Sequence, residues 1–491
     1  MKKIKNIVSG GFLVIVFAFL SASCTDFLND PPRGVDIPNT ISHYSTLLAH
    51  PHTINLVFPR ISPSGGTIMS PSSHYWLFMT DELMATPESF NNMTVAQRNA
   101  FQWQANIFTP DDHPFEWGGL YRQIFIYNLV TNEVMDATDG TIAERRQIQA
   151  EARVARAWNY MMLAQFFARP FNPATASTDL AVPLVLEAST GQSNFTRATV
   201  QQIWDFILTE LEEAVPQLND ITTSRFRIAR FAGYNIMGRA YMLVHNYERA
   251  LYAFTEAELL RNRATLPIEL FNYSELMPVW TADPTWHNGG VFPGMLHSSN
   301  TENVLTRQIG VNPLAAGIAG TAPPRAFIKP EFMAMFLEGD LRRYIYNRRG
   351  DATYYRREAR TSHNEGLDLP MFYINFAEVL ARTGNVTRAR EVITHFRSHR
   401  FAEGFEAIPI NVVSQADLIR FIVQERLLEY MATGHRWFDM RRLWNDPLFQ
   451  HLKVNYTRFD GTTTWTLTED RLLYRIPPSV MVFNPNMPNN P

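Results

Sequence analysis

From Glu425 to Trp444 the chain reads ERLLEYMATGHRWFDMRRLW, a stretch dense in acids and bases. Glu425 and Glu429 are spaced i, i+4, so a helix would carry both carboxylates on one face. Leu427, Leu428 and Met431 fall near i, i+3, i+4 spacing and predict an apolar face on that helix. Gly434 suits the left-handed residue that would end it. A second short helix then carries Arg436, Trp437, Phe438, Asp439, Arg441 and Arg442. Two chemistries fit. Carboxylates beside His435 could form an acid–base centre. Alternatively, two acids before the glycine and three arginines after it form ion pairs across the corner. The structural reading is adopted, because perturbed acids also occur in structural ion-pair networks. Buried pairs of that kind fix geometry more than they add stability.

Other reactive patterns are sparse. His395 and His399 stand at i, i+4 and could chelate a metal. On an arginine-rich helix they read instead as a solvated or half-buried pair, so no metal is expected. There is no G-x-G-x-x-G opening a helix after a strand, no P-loop, no H-E-x-x-H and no G-x-S-x-G elbow. Nothing marks a pair of acids as a glycosidase couple. Neither catalytic residues nor a cofactor is therefore expected.

Aromatic residues make up 13% of the chain and are the better lead. The apolar C–H face of a pyranose stacks on Trp or Tyr, while its hydroxyls need amide, acidic or Arg partners at the edges. Trp76, Trp103, Trp280 and Trp286 fall in predicted loops beside such residues. The candidate ligand surface is therefore drawn from two regions. One holds Tyr75, Trp76, Asp81, Trp103 and Asn106; the other holds Trp280, Trp286 and Asn288.

These residues need a scaffold. The chain has 491 residues, and length alone suggests about three domains as a soft prior. The net charge is -3, which gives no electrostatic case for nucleic acid. A single cysteine excludes an intrachain disulfide framework. Residues 1–23 read as a signal peptide: Lys2, Lys3 and Lys5 precede an apolar run from Phe12 to Leu20 that is too short to span a bilayer. Ser21, Ala22 and Ser23 then lead into Cys24, an arrangement that resembles a bacterial lipobox, with Ser21 where that motif favours Leu. Cys24 would be the lipidated residue, and 24–40 a tether.

Helices are predicted at 41–48, 115–136, 145–167 and 199–218 from their apolar periodicity. Residues 59–73, rich in Pro, Gly and Ser, read as loop. Tyr234, Met237, Gly238, Tyr241, Ala250, Phe254 and Ala257 meet the spacing of a tetratricopeptide repeat. Tyr373, Phe376, Ala377, Leu380, Ala389, Ile393 and Phe396 meet it more loosely, and 145–167 with 199–218 would be an interrupted third unit. The fold class is thus mainly α, a tetratricopeptide-like helix-pair scaffold (115–261 and 371–444) with a few short strands. A loop-rich insertion, 266–370, separates the two clear repeats and is the expected ligand-binding part. A hairpin is predicted around Asp460-Gly461.

Five separated places resemble the SusD/RagB family. Glu425, Arg426, Glu429, Gly434, Arg436, Asp439, Arg441 and Arg442 fit its E-R-x(2)-E-x(4)-G-x-R-(W/F)-x-D-(L/M)-R-R pattern, with Ala432-Thr433 where Phe-Glu is usual. Cys24 to Pro32 resembles its C-x-D-F-L start. Trp117 to Asn128 resembles W-x(2)-L-Y-x(2)-I-x(3)-N, Ala150 to Ala157 resembles A-E-A-R-x(2)-R-A, and the tail from Ile476 closes as the family does. The resemblance implies one SusD-like domain over 41–491. It also implies a surface-exposed, lipid-anchored (palmitate-bearing) outer-membrane lipoprotein that binds oligosaccharides or polysaccharides. Its partner would be a SusC-like TonB-dependent transporter. The first of the two ligand regions also matches where the family places part of its ligand surface. A peptide or glycopeptide receptor of the same family, or a glycoside hydrolase on a helical scaffold, are the alternatives.

Overall fold

The computed structural model describes residues 37–56, 59–61, 67–69, 74–191, 194–275, 300–307, 325–348, 355–357, 364–459 and 463–491. The signal segment 1–23 and Cys24 lie outside the described residues.

Helix α1 (Ile41–Ala49) leads to α2 (Leu120–Glu133) and α3 (Ile142–Phe167), which pack as an antiparallel pair. The predicted single helix 115–136 is subdivided: a π-helical turn, Phe115–Gly119, precedes α2 and a 3-10 turn, Val134–Asp136, follows it. Helix α3 begins three residues earlier than its periodicity suggested, because Thr141 and Glu144 form a reciprocal capping box. Helix α4 (Val200–Ala214) starts on an equivalent box, Thr199 with Gln202, and packs on α3 as the interrupted unit requires. Polar residues of the 150–157 motif clamp that packing. Arg156 holds Glu210 of α4 at 2.5 Å, and Glu151 takes both ends of Arg227 at 2.6 Å.

Both predicted repeats are present. Helix α5 (Arg230–Leu243) pairs with α6 (Tyr247–Leu260), and α7 (Leu369–Arg382) pairs with α8 (Val386–Ser398). Their template residues are buried. Phe254 of α6 sits 6.1 Å, centroid to centroid, from Phe372 of α7, so the two repeats stack on each other through aromatic edges. Helix α9 (Gln415–Glu429) packs on α7, and α10 (His435–Arg442) follows the Gly434 corner.

Strands are short. Residues 59–73, read from sequence as loop, contain a hairpin of β1 (Pro59–Ile61) and β2 (Thr67–Met69) with Arg60 opposite Ile68. The described parts of the 266–370 insertion carry β4 (Asn303–Leu305), β5 (Phe327–Ile328), β6 (Tyr346–Arg348), β7 (Tyr355–Arg357) and β8 (Leu367–Asp368). With β3 (Leu83–Met84) they form a four-stranded sheet in the order β3-β5-β7-β6 and a separate β4-β8 pair. The insertion is thereby pinned to the 75–106 region through Leu83 opposite Ile328. The predicted tail hairpin is β9 (Thr457–Phe459) against β10 (Thr464–Thr466).

The α5–α6 crossing depends on Gly238. A Cβ there would lie 2.7 Å from the Phe254 ring, which is fully buried and has no room to retreat. Gly238→Ala is therefore expected to lower stability by ~1–3 kcal/mol, the usual penalty of overpacking. Chemical denaturation of the variant checks this; an unchanged midpoint would mean that the helices can separate without loss.

Candidate functional site

The corner between α9 and α10 takes the predicted backbone: Gly434 has φ +89°. A Cβ at this glycine would stand 2.4 Å from Trp76 Cδ1, so the bare glycine is what lets the indole pack against the turn. The predicted ion pairs across the corner are replaced by others. Glu425 pairs with Arg397 and, at 2.7 Å, with Arg342; Glu429 pairs with Arg400 at 3.0 Å. Arg436 reaches back to Asp81, with Nε and Nη2 donating to its two oxygens at 2.8 and 2.9 Å. None of the expected pairs occurs among the described residues; the corner is spanned instead in the opposite sense, by Arg426 before it with Asp439 after it at 3.2 Å. Arg441 forms no ion pair among the described residues and donates to the carbonyls of Ala164 and Ala168, capping the end of α3. The reason is geometric: the face of α9 bearing Glu425 and Glu429 abuts the end of α8, where Arg397 and Arg400 are nearer than α10.

The first group of sequence-selected ligand residues needs correcting on burial. Tyr75, Trp76, Asp81 and Trp103 are 4%, 1%, 3% and 3% exposed, so none of their side chains presents a face for stacking. Trp76 packs on Phe166 at 5.1 Å. Tyr75 donates its backbone N–H to Glu116 and its hydroxyl to Asp112. Trp103 donates Nε1–H to the Met79 carbonyl at 2.8 Å and, with Phe101, encloses the Arg458 guanidinium, 4.5 and 4.3 Å from the two rings. That guanidinium donates in turn to the carbonyls of Phe78, Thr80 and Phe101. Asn106 is exposed and accepts from Arg475 at 2.9 Å. Tryptophans beside polar residues in a loop are here loop anchors. Trp280, Trp286 and Asn288 lie outside the described residues. His395 and His399 stack edge to face at 4.9 Å, and no group of three or more potential metal ligands occurs among the described residues.

Of the sequence-selected residues, Asp81 borders a large cleft of about 620 Å³. Lys329, Glu331, Phe332 and Met335, just after β5, form one wall. Arg420, Val423, Gln424 and Leu427 of α9 form another, and Phe449, His451, Leu452 and Val454 close it. Phe332, Met335, Val423, Leu427 and Leu452 give it an apolar floor; Lys329, Gln424, Arg420 and His451 give it a polar rim. Sequence inspection missed these residues. Their only local signal was the helical period of α9, since the 325–335 wall and the 449–457 wall come from elsewhere in the chain. A second cleft, about 250 Å³, is lined by Trp117, Tyr121, Phe125 and Phe195. Its polar groups are already engaged: Tyr121 donates to the Pro183 carbonyl and Asn484 both accepts from Phe195 and donates to Val480.

Next to Asp81 in the chain, Glu82 is fully buried and accepts from the Ala432 N–H at 2.8 Å. Burial, reinforced by the charge of Asp81, pushes its pKa up to about 8. The unfolded value is near 4.5. Between the two, the unfolded chain has lost the proton that the folded chain retains. Stability should therefore fall as pH rises from about 5 to about 8. Glu82→Gln, which keeps the carbonyl acceptor, is expected to flatten that segment of the Tm-versus-pH curve. An unchanged slope would show that Glu82 is ionised in the fold.

Comparison with known proteins agrees with this architecture. Residues 50–242 match a family model described as SusD-like, starch-binding, associating with the outer membrane, and residues 371–491 match the SusD family model. No curated protein matches the sequence significantly. Among solved structures, a SusD superfamily protein from Bacteroides thetaiotaomicron is 17% identical with a TM-score of 0.67, covering 92% of this chain and 100% of that one. The surface glycan-binding protein A of Bacteroides uniformis is 17% identical with a TM-score of 0.65, over 92% and 99%. A laminarin-binding SusD-like protein is 17% identical with a TM-score of 0.60, over 93% and 100%.

Proposed function

The chain belongs to the SusD family, and on that premise we propose that it captures oligosaccharides or polysaccharides at the cell surface and passes them to a partner TonB-dependent outer-membrane transporter. It acts by binding and not by turnover. The observation that carries this reading is the joining of family membership to a surface cleft with an apolar floor and a polar rim. A sugar ring offers both kinds of surface, so the cleft can bury its C–H face without stranding its hydroxyls. Relatives of the same fold described as surface glycan-binding and laminarin-binding support the ligand class. The larger cleft is the better candidate of the two, because several of its polar side chains, Lys329, Gln424 and His451 among them, make no side-chain hydrogen bond among the described residues.

Attachment to the membrane would come from acyl chains on Cys24. No helix among the described residues is long and apolar enough to cross a bilayer. Expressed without its transporter, Cys24→Ala is expected to move from the membrane fraction to the soluble periplasm or medium with its fold intact. Firm retention of that variant in the membrane would contradict lipidation.

Calorimetry against a panel of neutral and acidic oligosaccharides and of peptides, with product analysis, tests the main reading. Glycan binding without new products is expected; peptide binding alone would support the peptide-receptor alternative, and turnover the hydrolase. Phe332 is the partly exposed ring of the floor. Phe332→Ala should cost ~1–3 kcal/mol of binding, by analogy with base–aromatic stacking. That is roughly a ten- to hundred-fold loss of affinity. Unchanged affinity in a folded variant would move the site away from this cleft.

A further inference from the structure

The charges lining the larger cleft are unevenly engaged. Both oxygens of Asp81 are held by Arg436 through Nε and Nη2. Arg436 is itself only 6% exposed, lines the cleft, and its Nη1 makes no hydrogen bond among the described residues. A guanidinium has five donors, and two point at Asp81, so the Nη1 edge remains for a ligand. Lys329 gives its backbone N–H to the Glu82 carbonyl, and its ammonium lies over the face of Phe332, 5.9 Å away, with no salt bridge among the described residues. Burial, helped by the charge of Arg458, lowers the pKa of that ammonium against the pull of Asp81, Glu331 and Glu82. The Gln424 amide and the His451 ring, on the same lining, also have no hydrogen bond among the described residues. Arg420 is held by Asp417 at 3.3 Å and by the Leu448 carbonyl. Against these donors stands Glu331, exposed at the rim. Two cationic donors, Lys329 and the Nη1 edge of Arg436, thus face one rim carboxylate, Glu331, around an apolar floor.

We propose that this cleft selects an acidic sugar unit, one carrying a carboxylate or a sulfate ester. The anionic group would sit between Lys329 Nζ and Arg436 Nη1, the ring over Phe332, and the neighbouring hydroxyls at Gln424 and His451. This rests on the glycan-capture reading and narrows its substrate class. Two positive donors converging on one anion give charge-assisted hydrogen bonds, roughly twice as strong as those to a neutral hydroxyl. The cleft can thus discriminate by charge as well as by shape. The second, aromatic-lined cleft has no comparable set. Its neighbouring cation Arg197 already donates to the carbonyls of Leu180, Ala181 and Pro488 and to Asn490.

The test uses the full mature chain and calorimetry with five probes. Hexagalacturonate and unsulfated hyaluronan hexasaccharide carry carboxylates only; a kappa-carrageenan hexasaccharide carries sulfate only; laminarihexaose and maltohexaose are neutral. The expected result is that at least one acidic probe binds on the order of tenfold more tightly than either neutral one. That preference should weaken at high salt. Lys329→Gln should bring the ratio of acidic to neutral affinity down to about one, and Lys329→Arg should retain the preference. Circular dichroism controls for folding. Whichever acidic arm binds tells carboxylate from sulfate. Neutral probes binding as tightly as acidic ones overturns the acidic preference and leaves glycan capture standing. A preference that survives Lys329→Gln overturns the assignment to this cleft. Failure of all five probes, with peptides bound instead, removes the glycan reading along with this one.

Discussion

Glu378 sits fully buried among three arginines, and the interior is arranged around that fact. Its Oε1 accepts from Arg382 and Arg442 at 2.7 Å each, and its Oε2 from Arg426 at 2.6 Å and Arg442 at 3.0 Å. Arg442 first, then Arg426 and Arg382, hold its pKa well below the ordinary range although burial alone would raise it. Removing Glu378 would take a shared carboxylate from three buried arginines at once, which is far costlier than never having buried the group. Each arginine is also anchored elsewhere: Arg426 and Arg442 on Asp439, Arg382 on Asp446. Helices α7, α9 and α10 are therefore fixed to one another by geometry that tolerates little sliding.

A parallel set continues away from Glu378. Arg400 joins Glu429 to Glu302, and Arg342 joins Asp340 to Glu425. These pairs bring the start of the insertion and its later part onto the end of α8 and onto α9. Arg436 and Asp81 do the same for the 75–106 region. Of these attachments, Arg436 with Asp81 lines the larger cleft. The apolar stacking of α5–α6 on α7–α8 is part of one continuous hydrophobic core, and the polar lattice decides how the loops sit on it.

Local order was largely legible from the amino-acid order. The repeats showed because small and bulky residues recur at fixed helical spacing, and Gly238 against Phe254 is the contact that spacing exists to permit. The glycine at 434 showed because few other residues accept a positive φ. Cap residues such as Thr141 and Thr199 set helix starts that apolar periodicity alone placed a few residues late or early. The family motifs marked the same helices, and the matches at 50–242 and 371–491 bracket the insertion that the sequence had set apart.

What the sequence by itself determined was thus the helix pairs, their order and the corner, all of which depend on interactions within a few residues. The tertiary structure alone decided which aromatic rings face solvent and which arginine meets which acid. Trp76 looked like a loop tryptophan until Gly434, far along the chain, left a bare turn for it to pack against. Asp81 looked like a sugar partner until Arg436, 355 positions away, claimed both its oxygens. Burial and ion pairing are properties of what packs alongside a residue. Nothing in the spacing of neighbours encodes a partner hundreds of residues distant, so the walls of the larger cleft became visible only when the folded chain brought them together.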